Sequence, residues 1–190
     1  MRKLSDSRGY TLLEMLIAVT LTSMLAAAGF EFYERMHSQT VTQEEISYMQ
    51  QSCRASLQEI SRTLRMAGYK VGSHAPYAVR TDSLYIFFSE TQPVDTVLYY
   101  LEDYSQAELG AFYSSFEGQI PHKLMKKVNS EPGAVFADYI RSMSVTAINS
   151  STLQIALLAQ TSLPDDSYSL NNGFRTHLGL ERVILRNVAL

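Results

Sequence analysis

From Leu12 to Phe30 the chain carries one ionisable residue, Glu14. A run of that length lets an α-helix cross a hydrocarbon layer of roughly 30 Å. A basic segment precedes it: Met1 to Gly9 holds Arg2, Lys3 and Arg8 against Asp6. A basic flank followed by an apolar run is a signal-like N-terminus. Two details separate it from an ordinary secretory signal. A carboxylate stands five residues after Gly9, where burying a charge in lipid is unfavourable. Ala26-Ala27-Ala28, the nearest match to an A-x-A cleavage site, lies late in the run.

The helical pattern does not stop at the apolar segment. The first proline is Pro76, and Gly29 is the only glycine between Thr11 and Ala67. Glycine inside a helix costs about 1 kcal/mol relative to alanine, so Ala26 to Gly29 is the weakest stretch. Beyond Tyr33, the residues Ile46, Met49, Cys53, Leu57, Ile60, Leu64 and Ala67 recur at spacings of three and four. Glu44, Glu45, Gln51, Arg54, Gln58, Glu59 and Arg62 fall outside that stripe. Glu59 and Arg62 are spaced to support each other weakly. Gly68 suits a C-cap, so the spacing predicts one helix from Thr11 to Ala67. Its first half needs lipid or other subunits, and its second half needs a sheet.

The period then switches. Ser83 to Ser89 and Thr96 to Leu101, joined by the turn-like Thr91-Gln-Pro-Val94, predict an antiparallel hairpin. Glu102 to Lys127 is irregular, with Ala107 to Ser115 a turn of helix or an excursion. Val128 to Gly133 is a loop around Pro132-Gly133. Tyr139 to Ile148 and Leu153 to Ala159 read as strands across the turn Asn149 to Thr152. Ser162 to Gly173 is a polar surface loop. Phe174 to Val188 closes the chain, with Val183-Ile-Leu185 as its core.

Composition narrows the function classes. Net charge is −3, and the basic leader makes the remainder more acidic still. That balance argues against a nucleic-acid surface. The largest basic cluster, Lys123-Leu-Met-Lys126-Lys127, reads as a solvated loop or helix face. Twelve tyrosines and eight phenylalanines, with no tryptophan, suit a β-rich domain. Cys53 is the single cysteine, which excludes an internal disulfide, and its place on the stripe makes it a small buried hydrophobe. His37, His74, His122 and His177 show no metal spacing. There is no nucleophile elbow and no phosphate loop. The expectation is a protein that is not an enzyme and takes no cofactor.

Gly9-Tyr10-Thr11-Leu12-Leu13-Glu14 resembles the class III signal of type IV pilins and type II secretion pseudopilins, G-F-T-L-x-E. Tyr10 replaces the usual phenylalanine. The resemblance implies that a prepilin peptidase cuts between Gly9 and Tyr10 and methylates the new N-terminal Tyr10. It assigns Glu14 an assembly role. A carboxylate in an apolar bundle must find a cation, and the amine freed on a neighbouring subunit is a suitable one. The alternative leaves Glu14 unpaired at headgroup depth.

Three further stretches are similar to PilW-like minor pilins and J-type pseudopilins: Leu64-Arg-Met-Ala-Gly68-Tyr69, Val97-Leu-Tyr-Tyr-Leu101 and Val183-Ile-Leu-Arg186-Asn187. The resemblance implies a minor subunit that primes assembly or sits at a filament tip. Its partners would be minor and major pilins, with an assembly ATPase and a platform protein acting indirectly. It would stand in the inner membrane as a single-pass protein, head in the periplasm, before entering a pilus or pseudopilus. Major pilins commonly carry a C-terminal disulfide loop, which a lone Cys53 disfavours, or a calcium loop, for which Asp165-Asp166-Ser167 lacks a ligand series. A second reading is a tip adhesin or DNA-uptake subunit, recognising through Glu102 to Val128 or Ser162 to Gly173. A third is a signal-anchored periplasmic protein.

The expected fold is α+β. A long N-terminal helix, transmembrane in its first half and amphipathic in its second, packs on an antiparallel sheet head, a pilin-like lollipop. The expected segments are a leader at 1–9, a transmembrane and assembly helix at 10–33, an amphipathic helix at 34–68 and a β-rich head at 69–190.

Overall fold

The computed structural model describes residues 10–89, 93–110, 116, 120–165 and 167–187. The leader with Gly9, the turn residues Thr91 and Gln92, Asp166 and Val188 lie outside them. One helix, α1 (Leu12–Leu64), leads into seven strands. These are β1 (Tyr77–Arg80), β2 (Ser83–Phe88), β3 (Asp95–Asp103), β4 (His122–Val128), β5 (Ala134–Asn149), β6 (Thr152–Gln160) and β7 (Thr176–Ile184). A short helix, α2 (Gln106–Leu109), lies between β3 and β4. This is the α+β architecture of pilins: a long N-terminal helix with an apolar stretch, then an antiparallel sheet.

The chain divides into two compact units, residues 1–43 and 44–190. In the first, α1 is apolar around its girth from Leu12 to Phe30 apart from Glu14 and a few hydroxyls, and every residue from Leu12 to Thr40 is exposed. Its few hydroxyls stay inside the helix. Those of Thr20, Thr22 and Ser23 donate to the carbonyls of Ile17, Ala18 and Val19, each at 2.8 Å. Bonds of this kind let a polar residue ride in an apolar surround without an orphaned group.

The second unit holds the rest of α1 and the sheet. Every strand pairs antiparallel with the next, in the order β1 to β7. The hairpin of β2 and β3 runs in register from Ser83↔Tyr100 to Phe88↔Asp95. Alternation decides which face is covered: Leu84, Ile86 and Phe88 point inward on β2, and Leu153, Ile155 and Leu157 on β6. They meet Met49, Cys53, Leu57, Ile60 and Leu64 of α1 in one core. Polar contacts fix the register of helix on sheet. Thr63 and Tyr99 share a buried hydroxyl bond at 3.0 Å. Gly179 of β7 makes room, because a Cβ there would stand 2.6 Å from both Cys53 Sγ and Leu57 Cδ1.

The structure departs from the sequence expectations at several points. α1 ends at Leu64 rather than Ala67, because the last amides reach back only three residues (Met66 N to Thr63 O and Ala67 N to Leu64 O, both 3.0 Å). Lys123 to Lys127 is neither loop nor helix but part of β4. Glu59 turns to Lys126 at 2.6 Å and not to Arg62. Ile184 faces outward at 67% exposure, while Val183 and Leu185 are buried, since neighbours on a strand point to opposite sides. β5 is longer than expected and holds Tyr139 at φ 56° beside register shifts in both its pairings.

Candidate functional site

The first turn of α1 carries the residues singled out by the sequence. Thr11 is the cap. Its hydroxyl accepts from the Glu14 backbone N–H at 3.2 Å, and its own N–H donates to Glu14 Oε2 at 3.3 Å. This reciprocal pair is a capping box, and it satisfies two amides that a helix start leaves without partners. The carboxylate also lies at the positive end of the helix macrodipole. Glu14 is therefore held by its own chain in the isolated subunit. Sequence reasoning singled out Glu14 and Tyr10 but passed over Thr11 as their organiser, although T-x-x-E before an apolar run is a signature of this cap. Tyr10 is 83% exposed just ahead of the cap, and Gly9 lies outside the described residues.

The stretches considered for recognition are pinned to the second unit. α2 begins in a capping box of Ser105 and Glu108. Glu108 also pairs with Lys123, and that bond first, then the Ser105 amide, holds its carboxyl down at about 2. Phe116 and Phe174 stack at 4.4 Å and cluster with Leu109, so the first stretch shares a small second core with the residue that follows the second. The Tyr104 hydroxyl donates to Asp138 Oδ1 at 2.5 Å, and burial, then that bond, pushes its pKa up. Asp165 accepts from the Ser167 hydroxyl at 2.6 Å and from Arg175 at 2.6 and 2.9 Å. Those donors hold its carboxyl low and occupy it as a loop tie. Glu45 likewise accepts from the Ser162 N–H at 3.1 Å and hydroxyl at 2.5 Å.

The remaining titratable candidates are dispersed. The ring of His37 stacks on Tyr33, His74 contacts the Val71 carbonyl, and His122 contacts Asp103 at 2.7 Å. Cys53 is fully buried, with its thiol 3.8 Å from the Leu157 carbonyl, and desolvation raises its pKa. A thiol so placed is a packing residue and not a nucleophile. Among the described residues, no group of three or more His, Cys, Asp or Glu could hold a metal ion.

The apolar helix with its capped glutamate is thus the feature that a known family should share. A family model described as the prokaryotic N-terminal methylation motif matches residues 4–30. The chain carries a type IV pilin-like prepilin signal. No curated protein and no solved structure matches it. The signal supports the pilin and pseudopilin family, and it implies processing by a prepilin peptidase and pilin partners in general. With the apolar start of α1, it fits a membrane-anchored pilin, a structural subunit.

Proposed function

We propose that this chain is a minor pilin or pseudopilin, similar to PilW-like subunits, that primes assembly or sits at the tip of a type IV pilus or type II secretion pseudopilus. It acts as a structural part and as a substrate of the peptidase, with no catalysis of its own. The carrying observation is the matched N-terminal motif on a helix whose apolar residues from Leu12 to Tyr33 find no cover among the described residues. Such a surface requires lipid before assembly and neighbouring helices after it. Cleavage falls between Gly9 and Tyr10, Tyr10 is N-methylated, and Glu14 exchanges its Thr11 contacts for the amine of an adjacent subunit. Residues 10–33 are the membrane and assembly segment, and the head lies in the periplasm. Platform protein and ATPase draw the subunit out of the inner membrane.

The test is the intact mass of membrane-extracted protein, with and without the prepilin peptidase. Loss of Met1 to Gly9 with one added methyl is the expected result. An uncut chain, or a cut after Ala28, overturns the reading. Gly9→Val should abolish the mature product. Glu14→Ala should leave cleavage intact and hinder incorporation into filaments; normal incorporation would remove Glu14 from the proposal.

A further inference from the structure

The end of α1 meets the C-terminal residues in a contact that the sequence prepares. Gly68 stands at φ +81°, and a Cβ there would lie 2.5 Å from the Asn187 carbonyl oxygen. Only glycine allows that approach. The Gly68 N–H donates to the Phe87 carbonyl, the Ser89 N–H to the Tyr69 carbonyl, both at 2.9 Å, and Asn187 Nδ2 to the Ala67 carbonyl at 3.4 Å. The Leu64-Arg-Met-Ala-Gly68-Tyr69 stretch is thereby locked against β2 and the residues after β7. One consequence is a cleft of about 310 Å³ lined by Arg65, Met66, Tyr69, Phe88, Arg186 and Asn187.

Its lining combines two arginines from opposite ends of the head's sequence, Arg65 and Arg186, with the apolar Met66 and Phe88. Among the described residues no acidic side chain lines it. Neither arginine has an ion-pair or hydrogen-bond partner among the described residues. A guanidinium presents a planar fork that fits a carboxylate with two bonds, and an aromatic and thioether lining accepts the apolar stem beside it.

The geometry points to a binding site for an acidic peptide segment, a carboxylate side chain flanked by an apolar one, supplied by a neighbouring protein subunit. It deepens the filament reading only in naming a subunit as the source; an uncut mass spectrum would remove that source and leave binding at the cleft measurable.

The experiment uses the full chain in detergent micelles and a fluorescein-labelled peptide of alternating glutamate and leucine, read by anisotropy. Binding should saturate, weaken with added salt, and fall at least five-fold in Arg65→Gln and in Arg186→Gln. Arg80→Gln, an exposed arginine on β1, should leave it unchanged. Arg65→Lys should recover only part of the loss, since charge alone lacks the fork. The unfolding midpoint of each variant should match the parent, which separates lost binding from lost fold. Equal binding of the glutamine counterpart, or indifference to both arginines, would overturn the proposal. So would a labelled oligothymidylate that binds through these arginines where the acidic peptide does not.

Discussion

The two stretches of α1 are built from similar residues and meet opposite fates. Leu12 is 84% exposed and Leu57 5%, on one uninterrupted helix. In the second unit, apolar residues recur every three or four positions and form a stripe that one sheet face covers. In the first, from Leu12 to Phe30, they surround the helix, more than a single sheet face could cover. The difference teaches that regular helix is no sign of a satisfied one. Residues 44–64 are specified by their own chain, and the apolar residues of 12–33 by an environment that the described residues do not supply.

The largest effect expected comes from making one substitution in both stretches. Ile60 is fully buried and Ile17 is 48% exposed. Ile60→Ala should destabilise the head by about 2–5 kcal/mol, the usual range for a core truncation. Ile17→Ala should change head stability by less than about 0.5 kcal/mol. Denaturant unfolding of the full chain in detergent, followed by tyrosine fluorescence, reads both. Equal losses would dissolve the distinction drawn between the stretches.

Next come the glycines that let the second stretch seat. Gly68→Ala sets a Cβ against a backbone carbonyl at positive φ, where nothing yields easily, and should cost about 1–3 kcal/mol. Gly179→Ala meets Cys53 Sγ and the end of Leu57, which can shift, and should cost about 1 kcal/mol. A larger loss at Gly179 than at Gly68 would mean that helix against sheet is the tighter joint. Gly29, in the first stretch, has nothing within 4 Å of an added Cβ, so Gly29→Ala should leave the head untouched.

What the sequence made legible follows the same division. The stripe from Met49 to Leu64 and the alternation of Ser83 to Phe88 each bury one face, so a simple period finds them. β4 escaped because register shifts on either side of Leu124 let Leu124 and Met125 be buried in succession, which breaks the period of two. Its lysines looked solvated, yet Lys126 reaches Glu59 and lies 5.9 Å from the rings of Tyr99 and Phe136. β1 escaped because four edge residues, two half-buried and then two exposed, carry no alternation. The end of α1 escaped because Ala67 continues the stripe after the hydrogen bonds have tightened. At the N-terminus the motif residues were plain, and the part played by Thr11 was hidden behind Glu14.

Thr11→Ala tests that part. Removing an N-cap costs a helix about 0.5–2 kcal/mol, confined here to its first turn. Amide exchange should rise at Leu13 and Glu14, and the unfolding midpoint of the head should not move. A shift of the head would show the two stretches to be coupled.

The smallest effect is a pH dependence that belongs to the second unit. Glu108 is held at about 2 by Lys123 and Ser105, and Asp165 is lowered by Ser167 and Arg175. Both folded values lie below those of the unfolded chain, about 4 for such carboxyls. The unfolded state therefore binds protons first as pH falls, and stability from these contacts is complete above pH about 5 and drains toward pH about 2. The ties are near the surface, so solvent and salt should weaken the effect. Urea midpoints measured across that window should fall in the parent and fall less in Asp165→Asn and Glu108→Gln. An identical decline in all three would place the acid sensitivity elsewhere in the head. The loop ties would then hold position without adding stability, and only the helix stripe and its sheet would separate the covered stretch from the bare one.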